Sequence, residues 1–260
     1  MSTRRFPRWL TLIALAVVVC HVLTIVFFGT STAGSLIGNG LQIFSSLVAA
    51  ALCLRASRKT TGFARSFWTL IGFAMAMWGV ADLGWSYYEV VLHSEPPPGS
   101  MIRFLFDTHG MFFVMAIFLD QEKSSSDIDV EEALDFIQIG ILFFFVYFGM
   151  YYLPTYTLDN AGALHRETVV TGWMSVGVIA LGLVQWRRAR LREARRLYGG
   201  LVIYFLFYAL FGTGAELLQV QQETPTGTWF DLAWSLPLLL AAFWAATWDP
   251  ARGEGERRAA

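Results

Sequence analysis

Charged residues are scarce in this sequence. Asp, Glu, Lys and Arg make up 15% of its 260 residues, against roughly a quarter in ordinary soluble domains. A soluble fold needs charge on its surface, so the shortage argues against one. The formal net charge is −1, and no basic field is present to hold a nucleic acid. Only 2 cysteines occur. Cys20 lies in the middle of an apolar run and Cys53 at the end of the next, so a disulfide framework is not expected. Only 4 histidines occur, and no two stand at i, i+3 or i+4. A multi-histidine zinc hydrolase needs about three ligands and an open position, so none is expected. HExxH and GxSxG are absent. A calcium loop through Asp127, Asp129 and Glu131 lacks its glycine and terminal glutamate. No internal repeat, direct or inverted, points to a transporter.

What is abundant is apolar and aromatic surface: 55% hydrophobic residues, 16% aromatic, and a mean hydropathy of +0.50. About 20 apolar residues at 1.5 Å each cross the roughly 30 Å of hydrocarbon in a bilayer. Eight segments qualify: Trp9–Phe28, Ser35–Leu54, Phe67–Val91, Ile102–Leu119, Phe136–Leu153, Val169–Trp186, Leu197–Leu218 and Trp229–Trp248. The first follows Arg4, Arg5 and Arg8 as a signal peptide would. It is too long for a signal core and lacks a clear cleavage site, so it reads as a retained span. Lipid offers no partners to the backbone, so each segment must be helical, and short alternating barrel strands are missing. The expected fold is an all-α polytopic membrane bundle of eight transmembrane helices over residues 1–250, with a short tail at 251–260.

Lys and Arg set the orientation. Of the 19 basic residues, all but Arg103 and Arg166 fall before segment 1, after segment 8, or in the loops 2–3, 4–5 and 6–7. Eight crossings put them on one side, with both termini in the cytoplasm of a bacterial inner membrane. Asp129 and Glu132 have capping-box spacing, so helix 5 should begin there.

Ionisable groups inside spans are costly and mark functional candidates. Most here lie in the outer halves: His21, Asp82, Glu89, Asp107, His109, Glu216 and Asp231, with Asn39 and Gln42 beside them. Trp78, Asp82, Trp85 and Glu89 fall within about 60° of arc on one helix face. Such a stripe should face the bundle interior. The expected site is an outer-side cavity lined by segments 2, 3, 4, 7 and 8, with Trp78, Asp82, Trp85, Glu89, Asp107, His109, Glu216 and Asp231 around a small cationic or amphipathic ligand. The plainer alternative is internal pairing: Arg103 with Asp107, His109 with Glu216 or Asp82, and Glu89 and Asp231 with headgroup water. No metal or cofactor is expected; a bis-histidine haem would have only His21 and His109 to use. Pro237 should kink segment 8 and act as a packing bend or hinge.

The stretch Ala64-Arg-Ser-Phe-Trp-Thr-Leu-Ile-Gly, then Trp78 and Ala81-Asp-Leu-Gly-Trp-Ser-Tyr-Tyr-Glu before a proline-rich loop, resembles the membrane-embedded input regions of bacterial sensor histidine kinases and diguanylate cyclases. So does Thr228-Trp-Phe-Asp-Leu-Ala-Trp-Ser-Leu-Pro, ending in Ala245-Ala-Thr-Trp. The likeness covers residues 8–250. It implies a sensory module of seven or eight helices whose last helix enters a cytoplasmic output domain, with a homodimer formed through that output. No kinase or cyclase follows Trp248 here, so the chain is expected to be an excised input domain, or to act through a separate partner, and not to be an enzyme. The rival expectations are an intramembrane enzyme or haem protein and a non-catalytic assembly subunit.

Overall fold

The computed structural model describes residues 8–122, 129–157, 160–214 and 227–249. Among them stand eight α-helices and no strand: α1 (Arg8–Phe27), α2 (Thr32–Arg58), α3 (Gly62–Val91), α4 (Met101–Ile117), α5 (Val130–Tyr147), α6 (Asn160–Arg188), α7 (Arg192–Tyr208) and α8 (Trp229–Ala246). Seven of them are long and apolar enough to cross a membrane. The exception is α4, whose 17 residues make a helix of about 25 Å.

Local chemistry sets the helix starts. Ser31 caps α2 by accepting from the Gly34 N–H, and Ser100 caps α4 by accepting from the Arg103 N–H. Asp129 caps α5 through the Glu132 N–H at 2.9 Å, where the spacing placed it. Two helices run further than the hydropathy suggests. α5 continues through a π-turn at Phe148–Tyr152 and a 3-10 turn at Leu153–Tyr156. α6 begins at Asn160, inside what reads as an outer loop up to Thr168. Polar residues extend a helix past the hydrocarbon once its apolar part is formed.

α3 is the axis of the molecule. Phe63, Phe67, Trp68, Ile71, Met75 and Trp78 are all buried along it. α2, α4 and α7 pack against it, α8 and α1 lie on α2, and α6 lies on α7. α5 is peripheral: 11% of its apolar window is buried, against 56% for α3.

The helix ends sort into two levels. At one, Phe63 of α3 meets Tyr198 of α7, whose hydroxyl donates to the Ile117 carbonyl at the end of α4. The Gln185 amide of α6 donates to the same carbonyl, and Arg190 pairs with Glu122 at 2.9 Å. Trp68 of α3 packs on Trp244 of α8 and on Trp248 just past its end. This is the level of Arg55, Arg58, Lys59, Arg65 and the arginines of the α6–α7 turn. At the other, Tyr147 donates to the Ser100 carbonyl and Asn39 reaches Glu89. Helix packing thus gathers the described basic loops at one end of the bundle.

Candidate functional site

Asp231 lies in the first turn of α8, and its Oδ2 accepts from the Gly227 N–H at 2.7 Å. Gly227 has φ +95, and any Cβ there would overlap the Gly29 backbone. The approach to α8 is therefore locked against the α1–α2 turn. Ser235 follows one turn later on the same face. Its hydroxyl shares a hydrogen bond with His21 Nδ1 of α1, at 3.3 Å.

These groups meet over Gly38 of α2. A methyl group on Gly38 would stand 3.6 Å from Asp231 Oδ2 and 3.9 Å from His21 Nε2. His21 is fully buried, and its Nε2 has no hydrogen-bond partner among the described residues. In the tautomer whose Nδ1–H donates to Ser235, Nε2 is an acceptor. Next along α2, the Asn39 amide donates to Glu89 Oε2 at 2.6 Å and ties α2 to α3. Glu89 is close enough to Asp231 for the two carboxyls to interact. Gln42 is buried one turn below Gly38.

The α3 stripe does face inward, and it divides there. Trp78 and Asp82 are buried, while Trp85 and Glu89 are half-buried. Trp78 stands in an aromatic cage with ring centroids of His109 at 4.7 Å, Tyr208 at 5.7 Å, Phe106 at 5.9 Å and Trp234 at 6.2 Å. Its indole N–H approaches the Asp82 carboxyl without completing a hydrogen bond, and Asp82 Oδ2 has no partner among the described residues. Trp85 carries the Arg103 guanidinium 5.0 Å from its ring centroid. Arg103 also donates to the Pro96 carbonyl at 2.9 Å and lies 3.6 Å from Glu95.

His109 Nδ1 engages the Phe106 carbonyl of its own helix, not Asp82. Asp107 is half-buried one turn after Arg103. Glu216 lies outside the described residues. Pro237 is buried within α8. The expected lining names α2, α3, α4, α7 and α8; the structure adds α1, through His21. Sequence reading missed Gly38 and Ser235. Ser235 was within reach, being four residues after Asp231, but a glycine that matters because it has no side chain leaves no signal.

Among the described residues no group of three His, Cys, Asp or Glu side chains could hold a metal. His21 and His109 occupy separate settings, one against α8 and the other in the aromatic cage. The cluster over Gly38 brings an imidazole nitrogen and the Asp231 carboxyl together. It suits a small group that donates hydrogen bonds or carries positive charge. No protein-family model, curated protein or solved structure matches the chain.

Proposed function

We propose that the chain is a signal-input module of a bacterial inner membrane, crossing the bilayer eight times with both ends in the cytoplasm. In this reading a small cationic ligand binds among the outer-half polar groups, and α8 carries the change inward. The observation that carries the proposal is the open position over Gly38, where His21 Nε2, which has no partner among the described residues, and Asp231 Oδ2, held by the Gly227 N–H, converge from two helices. An unpaired buried acceptor costs stability, and a donor-bearing ligand removes that cost.

Three features support the wider reading. α8 is held at its outer end by polar bonds from Asp231 and Ser235, and at its inner end by Trp244 and Trp248 packed on Phe67 and Trp68. Pro237 sits between these halves, where the missing N–H makes a bend easy. α4 runs antiparallel to α3, from Trp85 against Phe106 to Phe73 against Phe112. Its last carbonyl reaches the level of Tyr198, opposite Phe63. A short helix that covers its neighbour's depth can cross by thinning the bilayer locally.

The test uses the purified chain in nanodiscs, with methylammonium and spermidine as probes. Ligand binding should raise the unfolding temperature in a concentration-dependent way. Gly38→Ala fits at ordinary contact distances and fills the space, so it should fold and lose the response. Asp82→Ala should do the same. Folded variants that respond like the wild type, or a wild type indifferent to both cations, overturn the proposal.

A further inference from the structure

A second feature lies at the opposite, basic end and is independent of the outer cluster. Trp9 from α1, Arg55 and Ala56 from α2 with its C-cap Lys59, and Ala245 from α8 with Trp248 two residues past its end line a hollow of about 110 Å3. That is the volume of roughly three to four waters in the liquid, room for a phosphate group rather than a whole lipid. Arg55 and Lys59 are four residues apart, so they share one face of the last turn of α2. Both are exposed, and neither pairs with a carboxylate among the described residues.

The setting is unusual for an anion site, because α2 and α8 both present their C-terminal carbonyls there. Those helix ends repel anions, so the two side-chain cations supply the attraction, with help from the positive first turn of α1 beside Trp9. The surroundings match a membrane interface. Trp9 and Trp248 flank the hollow at the depth where amphipathic rings gather. Leu12, one turn further along α1 from Trp9, is 66% exposed, and it offers an acyl chain a path up the outside of that helix.

We infer that this hollow seats the phosphate of an anionic phospholipid, gripped by Arg55 and Lys59 and joining α1, α2 and the last turn of α8. Because α8 contributes Ala245 and Ala246, with Trp248 just past them, the bound headgroup braces the end of that helix against α2. A phosphodiester is preferred over a zwitterionic headgroup because neither cation pairs with a carboxylate among the described residues, and a choline would add a third positive charge beside them.

Native mass spectrometry of the purified full chain tests this, with dioleoyl phosphatidylglycerol, dioleoyl phosphatidylcholine and inorganic phosphate as probes. One phosphatidylglycerol should bind more tightly than phosphatidylcholine. Arg55→Gln with Lys59→Gln should weaken it about thirty-fold, about five-fold for each cation. Arg58 and Arg65 remain in that variant to hold the topology. Arg55→Lys with Lys59→Arg should keep the affinity, and Arg187→Gln with Arg188→Gln, which removes charge elsewhere on the same side, should not change it. If inorganic phosphate binds as tightly and shows the same dependence on Arg55 and Lys59, the phosphate seat stands and the lipid source is overturned. Undiminished phosphatidylglycerol binding by the double glutamine variant, equal loss in the Arg187/Arg188 control, or equal retention of phosphatidylcholine overturns the inference.

Discussion

At the residue scale, the end of this bundle opposite the basic loops is held by a few polar bonds whose loss should be measurable one at a time. The bond from Asn39 to Glu89 spans 2.6 Å between α2 and α3. Asn39→Ala should lower unfolding stability by about 2 kcal/mol, the range for a partly buried bond to a charged acceptor, as read by thermal unfolding. Gly38→Ala should act in the other direction. Removing a glycine from a helix interior gains up to about 1 kcal/mol, and the added methyl meets nothing closer than 3.6 Å. A variant that is more stable and yet deaf to cations would separate site from scaffold. Trp68, with no exposed surface, belongs to the scaffold, and Trp68→Ala should cost about 3–5 kcal/mol through the cavity it leaves.

At the element scale, α8 differs from its neighbours in having polar anchors above a proline and aromatic anchors below it. Pro237 cannot donate to the Ala233 carbonyl, and an interior proline costs a helix about 3 kcal/mol relative to alanine. Pro237→Ala should therefore raise the unfolding temperature of the chain while uncoupling the two halves of α8. A nitroxide at Thr247, at the end of that helix, checks this: its spectrum should change with the cation in the parent protein and stay unchanged in Pro237→Ala. An unaltered response in the variant would make the proline a packing bend only. α5 shows the opposite economy, ending in a π-turn and a 3-10 turn at Phe148–Tyr156. Little of its surface is buried, so few protein contacts demand regular geometry there.

At the scale of the whole molecule, the question is whether α4 crosses. With it, the number of crossings is even and the arginines of the α6–α7 turn stand with Arg55 and Lys59. Single cysteines placed in the segment 187–196 should resist membrane-impermeant thiol reagents applied to intact cells. Cysteines at His93 or Ser94 in the α3–α4 loop should react. Reaction at both places would put the α6–α7 turn on the same side as the α3–α4 loop and remove α4 from the crossings. The same experiment bears on the basic hollow, since an anionic headgroup on the cytoplasmic leaflet requires Arg55 and Lys59 to be there.

Much of the architecture was legible in the amino-acid order because lipid leaves the backbone no alternative to helix, and because hydrocarbon thickness sets segment length. The start of α5 at Asp129 and the gathering of the basic loops belong to that class. The extra turns of α5 and α6 do not, since polar residues beyond the hydrocarbon carry no length constraint. The inward turn of Trp78 and Asp82 also followed from spacing on one helix. What spacing cannot encode is how helices distant in the chain are rotated against one another. That rotation brings His21 of α1 to Ser235 of α8 across Gly38 of α2, and Trp9 beside Lys59 and Trp248 at the other end. Those meetings exist only in the packed molecule, because side-chain fit between neighbours, not the periodicity of any one segment, decides which faces touch.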